Sequence, residues 1–282
     1  MCQCATYKKV IGSCSIQLAS KIVKTSLRKY TFRGMNTLVA GFLGVVQGLT
    51  EFLPVSSSGH LVLFQKLIPS FSQPGITFDV ILHFGTLFAV LFYFRKDLLK
   101  IKFRYLWFLG IGTIPALLVG VFARDWIEGM FDSGSTLWLE FLVSALVNYL
   151  IWKIIPKEGE VNTRNSFVTG IAQAIAIIPA ISRSGATIFA GLVQGVKPQE
   201  AVKYSFLLSV PAILGANILE LFSLSSQGMG TINIFDYSIG FLAAFISGFF
   251  AIKLVSKLLL NRKFLFFAIY CVVVAGVALL VD

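Results

Sequence analysis

The sequence is poor in charged residues for its length. Only 13% of its 282 residues are charged, whereas 56% are hydrophobic, and its mean hydropathy is +0.83. Soluble domains usually carry about a quarter charged residues. The composition therefore excludes a soluble protein and indicates that lipid surrounds most of the chain.

Cysteines are also few, and their spacing is uninformative. Cys2, Cys4 and Cys14 lie near the start of the chain, and Cys271 lies in an apolar run. This distribution predicts neither a disulfide framework nor a zinc site.

Acidic residues are absent from the first 34 positions, which hold seven of the 24 lysines and arginines. Much of the net charge of +11 is therefore local, and it does not indicate a nucleic-acid partner. The segment resembles a targeting peptide but lacks the apolar core of a secretory signal. We interpret 1–34 as a basic extension, absent from the mature protein if translation starts at Met35 or the tail is removed, and 35–282 as a single transmembrane catalytic domain.

Six apolar stretches have about the twenty-residue length that a bilayer core requires. They predict an all-α polytopic membrane protein. The six predicted transmembrane helices are 76–94, 105–123, 137–155, 204–222, 236–255 and 264–281.

Two further apolar stretches are interrupted by Pro54 and Pro179 and run into serine-rich turns. Proline followed by a polar turn interrupts a helix. Irregular backbone at membrane depth is tolerated only where protein or a water-filled cavity covers it. We therefore predict two re-entrant helix-turn-helix hairpins, at 41–65 and 167–195, each of which enters and leaves the membrane on one side.

The two hairpins resemble each other, because GVVQGLTEFLPVSSSG at 44–59 and GIAQAIAIIPAISRSG at 170–185 align at one offset. Each half of the chain, about 35–155 and 165–282, then holds one hairpin and three spans. An odd number of spans inserts the second half upside down. The pattern predicts an inverted repeat, in which interrupted helices from opposite faces meet near the midplane.

Loop charges predict the orientation, because short cytoplasmic loops collect lysine and arginine. Five basic residues lie in 95–104 and four in 253–263, whereas 124–136 is net negative and 223–235 has no basic residue. Both ends of 35–282 should therefore lie outside the cytoplasm.

Polar groups gather on the first hairpin, and ionisable groups at membrane depth are functional hypotheses by default. Gln47 and Glu51 are four residues apart and share a helix face. The string SSSGH at 56–60 follows them. Helix capping explains a single serine, but a carboxylate, three hydroxyls and an imidazole together indicate chemistry.

The second hairpin contributes a cation instead. Arg183 lies at a predicted helix start between Ser182 and Ser184. Helix N-termini bind anions, and the guanidinium fork pairs with phosphate oxygens. The alternative is an arginine that snorkels to the headgroups. Because the first hairpin has no arginine and the second has no acid, the two would complete one site where they meet.

Two strings carry a family resemblance: QGLTEFLPVSSSGH at 47–60 and PAISRSGAT at 179–187. They resemble the two signatures of the bacterial undecaprenyl pyrophosphate phosphatase family, the bacitracin-resistance type, and the likeness runs from about Met35 to the C-terminus. It implies hydrolysis of undecaprenyl pyrophosphate to undecaprenyl phosphate, which recycles the lipid carrier for peptidoglycan synthesis at the bacterial inner membrane. It also implies a divalent cation and a site open to the extracytoplasmic side.

The expected catalytic residues are Glu51, Ser57, His60 and Arg183, and Glu51 with Gln47 would bind Mg²⁺ or Ca²⁺. The family has Glu or Gln at the position of Gln47, so the resemblance implies a metal site here with Glu51 as its carboxylate and Gln47 as a neutral ligand. His60 would activate Ser57 or a water, or protonate the leaving group, and these alternatives stay open. The hydroxyls expected to contact phosphate are those of Ser56, Ser58, Ser182, Ser184 and Thr187.

Two other functional classes compete with this interpretation. Inverted repeats of interrupted helices are also a transporter architecture, so a transporter or flippase of a phosphorylated prenyl lipid is the main alternative. Such a carrier needs an anion site but neither base nor metal. The PAP2-type lipid phosphatases are rejected, because neither His60 nor His83 is followed by aspartate four residues later. The expected partners are a prenyl pyrophosphate and membrane lipids, and a homodimer is left open.

Overall fold

The computed structural model describes residues 37–67, 76–123, 126–127, 129–130, 135–227 and 234–281. These residues form helices and turns, with one isolated bridge between Gly159 and Val196. The helices of the described residues are α1 (Thr37–Phe52), α2 (Ser57–Leu67), α3 (Ile76–Tyr93), α4 (Arg95–Leu98), α5 (Phe103–Phe122), α6 (Leu137–Lys153), α7 (Thr163–Ile175), α8 (Arg183–Val193), α9 (Pro198–Gln227), α10 (Ile234–Leu260) and α11 (Leu265–Val281).

The predicted all-α class is confirmed, and each predicted span coincides with one helix: α3, α5, α6, α9, α10 or α11. Among the described residues, three helices are long and apolar enough to cross a membrane, namely α5, residues 198–218 of α9, and α10. Helices α1 and α11 and residues 78–93 of α3 are apolar but shorter. The chain is therefore a helical membrane protein, and the full set of six spans stays a prediction.

Both predicted hairpins are helix-turn-helix units. Helix α1 ends at Phe52, just before Pro54, and α7 ends at Ile175, before Pro179. Proline favours these boundaries because it lacks the N–H that would continue a helix and restricts the residue before it. The second arms, α2 and α8, begin at aligned positions of the two repeats.

The first arm of each hairpin packs against the opposite half of the chain. A Cβ atom at Gly44 in α1 would lie 2.3 Å from the carbonyl oxygen of Gly240 in α10. A Cβ atom at Gly170 in α7 would lie 2.5 Å from the carbonyl oxygen of Gly112 in α5. Such close approach of helices through small residues is typical of packing within a bilayer. Because Gly44 and Gly170 are aligned in the two repeats, the reciprocal contacts agree with the predicted inverted repeat.

The largest apolar cluster lies beside the first turn. Phe52 and Val55 pack there with Ile188 of α8 and Phe206 of α9, and all four are almost completely buried. The rings of Phe52 and Phe206 meet edge to face at 5.4 Å. This cluster connects the hairpins with the long helices and includes residues on both sides of Pro54.

The predicted basic extension at 1–34 lies outside the described residues. The division into an extension and a catalytic domain therefore stays a prediction.

Candidate active site

The turns between the hairpin arms, here called elbows, have unusual backbone conformations. Ser56 and Ala180 adopt positive φ angles of 68° and 54°. For residues other than glycine, this left-handed region costs roughly 1–3 kcal/mol and persists only where the surroundings hold it. Each elbow leads into a capped helix, because Ser56 Oγ accepts from Gly59 N at 3.3 Å and Ser182 Oγ accepts from Gly185 N at 3.2 Å.

The two elbows lie directly against each other. A Cβ atom at Gly59 would lie 2.6 Å from Ala180 Cβ, and one at Gly185 would lie 3.3 Å from Pro54 Cβ. Ser184 Oγ donates a hydrogen bond across the contact to the carbonyl oxygen of Leu53 at 3.1 Å. The structure therefore joins two segments that are more than a hundred residues apart in sequence.

A buried carboxylate forms the centre of this junction. Glu51 Oε2 accepts hydrogen bonds from Gln47 Nε2 and Ser57 Oγ, each at 2.9 Å. Its other oxygen, Oε1, pairs with the Arg183 guanidinium. Glu51 is only 8% exposed, whereas the Arg183 side chain is 19% exposed. Four of the predicted site residues, two charged and two polar, thus form one network across the hairpins.

The network offers two oxygen ligands to a cation, one from Glu51 and one from Gln47. The Glu51 carboxylate accepts hydrogen bonds from three groups, and a carboxylate has about four positions at which it can accept. Gln47 Oε1 is buried and has no hydrogen-bond partner among the described residues. That part of the chain contains no group of three His, Cys, Asp or Glu side chains suited to a metal. The donor set fits a hard cation whose remaining ligands are water and phosphate oxygens.

The predicted base, His60, is buried one turn into α2. Its Nδ1 lies 2.6 Å from the Ser56 carbonyl oxygen, which can only accept, so Nδ1 carries the hydrogen. Its Nε2 lies 2.7 Å from the Tyr270 hydroxyl of α11 and accepts from it. Neither ring nitrogen pairs with Ser57, whose hydroxyl donates to Glu51 instead.

Most of the remaining predicted hydroxyls are engaged by protein groups. Ser56 and Ser182 cap helices, and their Oγ atoms lie 3.3 Å from Ser58 Oγ and 3.2 Å from Ser184 Oγ respectively. Thr187 Oγ1 donates to the Arg183 carbonyl oxygen at 2.8 Å, and its side chain is almost fully buried. The assignment of these five hydroxyls to phosphate stays a prediction.

Three residues beside the elbows were missed in the sequence. On α6, Ser144 Oγ donates to the Ala180 carbonyl oxygen at 2.8 Å, and Asn148 Nδ2 donates to that of Pro54 at 2.6 Å. On α11, Tyr270 is the partner of His60. Polar residues four apart in an apolar helix were an available signal for Ser144 and Asn148. Nothing in the local sequence around Tyr270 indicates its partner.

An apolar groove of about 370 Å³ lies between α5 and the end of the second hairpin's first arm. Its lining includes Val119 and Trp126 from one part of the chain and Ile175 and Ile178 from another. The groove therefore reaches the chain segment that leads into the second elbow.

The fold and the polar centre define a class: a helical membrane protein in which two hairpins join a carboxylate, a hydroxyl and a guanidinium at one internal site. The profile of the family described as "Bacitracin resistance protein BacA" matches residues 40–277. The chain belongs to this family.

Curated relatives match the chain over most of its length. The "Undecaprenyl-diphosphatase" of Carboxydothermus hydrogenoformans is 42% identical over 259 residues, which cover 88% of this chain and 97% of the relative. That of Halothermothrix orenii is 44% identical over 242 residues, covering 83% and 93%. That of Methanobrevibacter smithii is 39% identical over 273 residues, covering 85% and 95%.

Proposed function

We propose that this chain is an undecaprenyl-diphosphatase, which hydrolyses undecaprenyl pyrophosphate to undecaprenyl phosphate and phosphate. The shared name of relatives that match over nearly their whole length supports this function. The observation that carries the mechanism is the contact of Glu51 with Arg183 across the two elbows. Nothing in the comparisons favours the transporter alternative.

Substrate binding would exchange the partners of this ion pair. Arg183 is the more exposed member, and its planar fork matches two oxygens of one phosphoryl group. When the guanidinium turns to the terminal phosphate, the Glu51 carboxylate loses its positive partner. Glu51 would then be free to hold the divalent cation, and the buried carboxylate would keep a positive partner.

We assign the cation to Glu51 and Gln47, and expect Mg²⁺ or Ca²⁺. Gln47 contributes a neutral oxygen, so Glu51 is the principal carboxylate ligand. A bound divalent ion neutralises charge on the two phosphates and stabilises the transition state of phosphoryl transfer.

The attack would break the bond between the terminal phosphorus and the bridging oxygen. Ser57 is held with its hydroxyl hydrogen on Glu51, so this carboxylate is placed to take the proton if Ser57 is the nucleophile or orients a water. Arg183 would stabilise the charge on the phosphoryl oxygens. For the pair of His60 and Tyr270 to supply the proton of the leaving group, His60 would first take up a proton at Nε2. The imidazolium would then donate to the Tyr270 oxygen while the Tyr270 hydroxyl passes its proton to the departing lipid phosphate.

The prenyl chain needs apolar surroundings, and we assign part of it to the groove beside the second elbow. Lining residues such as Val119, Ile175 and Ile178 are aliphatic. With part of the prenyl chain in this groove, the pyrophosphate would lie at the elbows. The rest of the prenyl chain would stay in the bilayer, because apolar surface is more stable in lipid than in water.

Phosphate release by the purified protein in detergent tests the proposal. We expect inorganic phosphate from undecaprenyl pyrophosphate, its loss on addition of a chelator, and recovery with Mg²⁺ or Ca²⁺, because the pyrophosphate charge must be neutralised. Short-chain prenyl pyrophosphates should give lower kcat/KM values, since they fill less of the groove. Binding of the lipid without phosphate release at any metal concentration would instead identify a carrier.

The protein would lie in the bacterial inner membrane with its site open to the extracytoplasmic side. Two polar contacts support the assignment of loops to faces. Lys203 of α9 pairs with Asp97 of α4 at 2.5 Å, beside the basic loop 95–104. Thr37 donates to Asp236 at 2.6 Å, so the starts of α1 and α10 lie at the same face.

Cysteine labelling from outside intact cells tests this orientation. A membrane-impermeant thiol reagent should label single cysteines placed in 124–136 and 223–235 and should miss those in 95–104, because the basic loop stays in the cytoplasm. Labelling after permeabilisation is the control for reactivity. The reverse pattern would show that loop charge does not set the orientation here.

A further inference from the structure

One face of α6 contacts both elbows. Ser144 Oγ donates to the carbonyl oxygen of Ala180 at 2.8 Å and accepts from the backbone N–H of Ser182 at 2.9 Å. Asn148, one turn further along, donates from Nδ2 to the carbonyl oxygen of Pro54 at 2.6 Å. The same amide also donates to the Ser144 carbonyl oxygen at 2.9 Å, which fixes its orientation.

The two bonded carbonyls are equivalent positions of the repeats. The offset that aligns Gln47 with Gln173 also aligns Pro54 with Ala180. Ala180 itself has a positive φ angle, and Pro54 lies two residues before Ser56, which also has one. A conformation of this kind needs external contacts to persist, and the hydrogen bonds from α6 supply them at both elbows.

Helix α6 is suited to fix a geometry. Ser144 and Asn148 are almost fully buried on one face of α6, which also packs along α11. Phe141, on the same helix, lies against the position where Gly59 meets Ala180. A single helix that bonds two different turns sets the distance between them.

We propose that Ser144 and Asn148 are positioning residues, which hold the two elbows in the register at which Arg183 meets Glu51 and the substrate phosphate. The inference rests on the proposed active site, because it acts through Arg183 and Glu51. Neither residue contacts either charged side chain; each acts through the backbone that carries one of them. Glu51 lies three residues before Pro54, and Arg183 lies three residues after Ala180.

The first test is a graded series at Ser144. Ser144→Ala removes both hydrogen bonds to the second elbow, and Ser144→Cys keeps the size with a weaker donor. We expect Ser144→Ala to lower kcat roughly ten- to a hundredfold, because a small displacement of reacting groups has an effect of this size. Ser144→Cys should lower kcat by less. In both variants KM should change less than threefold. Ser256→Ala is the matched control, because Ser256 Oγ bonds only to its own helix at Ile252. Its kcat should stay that of the unmodified protein.

The second test asks whether Ser144 acts through Arg183. In an Arg183→Lys background the fork is already lost, so the further effect of Ser144→Ala should shrink to less than threefold. Asn148→Ala gives the same measurement for the first elbow in a Glu51→Gln background. If Ser144→Ala fails to fold, Ser144→Cys carries the same comparison.

The outcomes separate the two proposals. A wild-type kcat in Ser144→Ala and Asn148→Ala, or fully multiplicative effects in the combined variants, would overturn the positioning role and leave the active site intact. A wild-type kcat in Arg183→Lys and Arg183→Ala would overturn the active site itself, whatever the α6 variants do.

Discussion

Arg183→Lys should lower kcat by something on the order of 10² or more, the range seen when one preorganised donor is lost from an active site. Lysine keeps the positive charge but loses the planar fork that grips two phosphoryl oxygens. The loss should appear in kcat because the grip tightens as charge shifts in the transition state. Arg183→Ala should lower kcat further. The measurement is phosphate release at saturating undecaprenyl pyrophosphate.

Protein yield and thermal stability should change little in Arg183→Lys, which keeps a positive charge near Glu51. Arg183→Ala leaves the buried carboxylate without its cation and should also lower thermal stability. It should still fold, because Glu51 keeps the hydrogen bonds from Gln47 and Ser57. Arg164→Lys is the matched control, because Arg164 lies on the same hairpin but is exposed. Wild-type kcat in Arg183→Lys, or loss of activity in Arg183→Ala only through failure to fold, would make Arg183 a structural or snorkelling residue.

Glu51→Gln should nearly abolish turnover. The carboxylate accepts from three donors, Gln47, Ser57 and Arg183, so an amide in its place turns an NH₂ group against at least one of them. It also removes the principal negative charge that we assign to the cation. We expect kcat to fall by on the order of 10³ at ordinary Mg²⁺, with partial recovery at high Mg²⁺ if metal affinity is the main loss.

The neighbouring Gln47→Glu change should be tolerated when the cation is bound. It replaces the Nε2 donor 2.9 Å from Glu51 by a second carboxylate oxygen, and the positive charge of the divalent ion would offset the repulsion between the two carboxylates. Glu158→Gln, at an exposed position, controls for the loss of a carboxylate elsewhere. Full activity of Glu51→Gln at ordinary Mg²⁺ would refute the metal assignment.

The sequence predicted the helices well because helix formation in lipid depends on local composition. A run of about twenty apolar residues must be helical in lipid to satisfy its backbone hydrogen bonds, and such runs placed α5 and α10 within a few residues of their observed ends. Proline and serine located both elbows for the same reason. The boundaries that differed most belong to α9, which extends beyond its apolar stretch at both ends into polar residues that the membrane argument does not reach.

For the candidate site, the sequence predicted the residues whose chemical groups need each other as partners. The acid on one hairpin and the arginine on the other have opposite charges and can pair, and in the structure Glu51 and Arg183 form an ion pair. The sequence left His60 open as the base for Ser57, the base for a water or the acid for the leaving group. The ring instead pairs with Tyr270, which is 210 residues away, and no local pattern specifies that choice.

Ser57 and Arg183 begin the second arms of the two hairpins and stand at the same aligned position. Consider a homodimer made of two copies of one half, inserted in opposite orientations. Both of its elbows would carry the same residue. Such a dimer would present two guanidiniums or two hydroxyls at the contact, and never one of each. Because the halves are covalently joined, every molecule contains one hydroxyl elbow and one guanidinium elbow, in fixed stoichiometry. Two segments that align in sequence can therefore hold a single polar centre with a defined direction, from the carboxylate of one segment to the cation of the other.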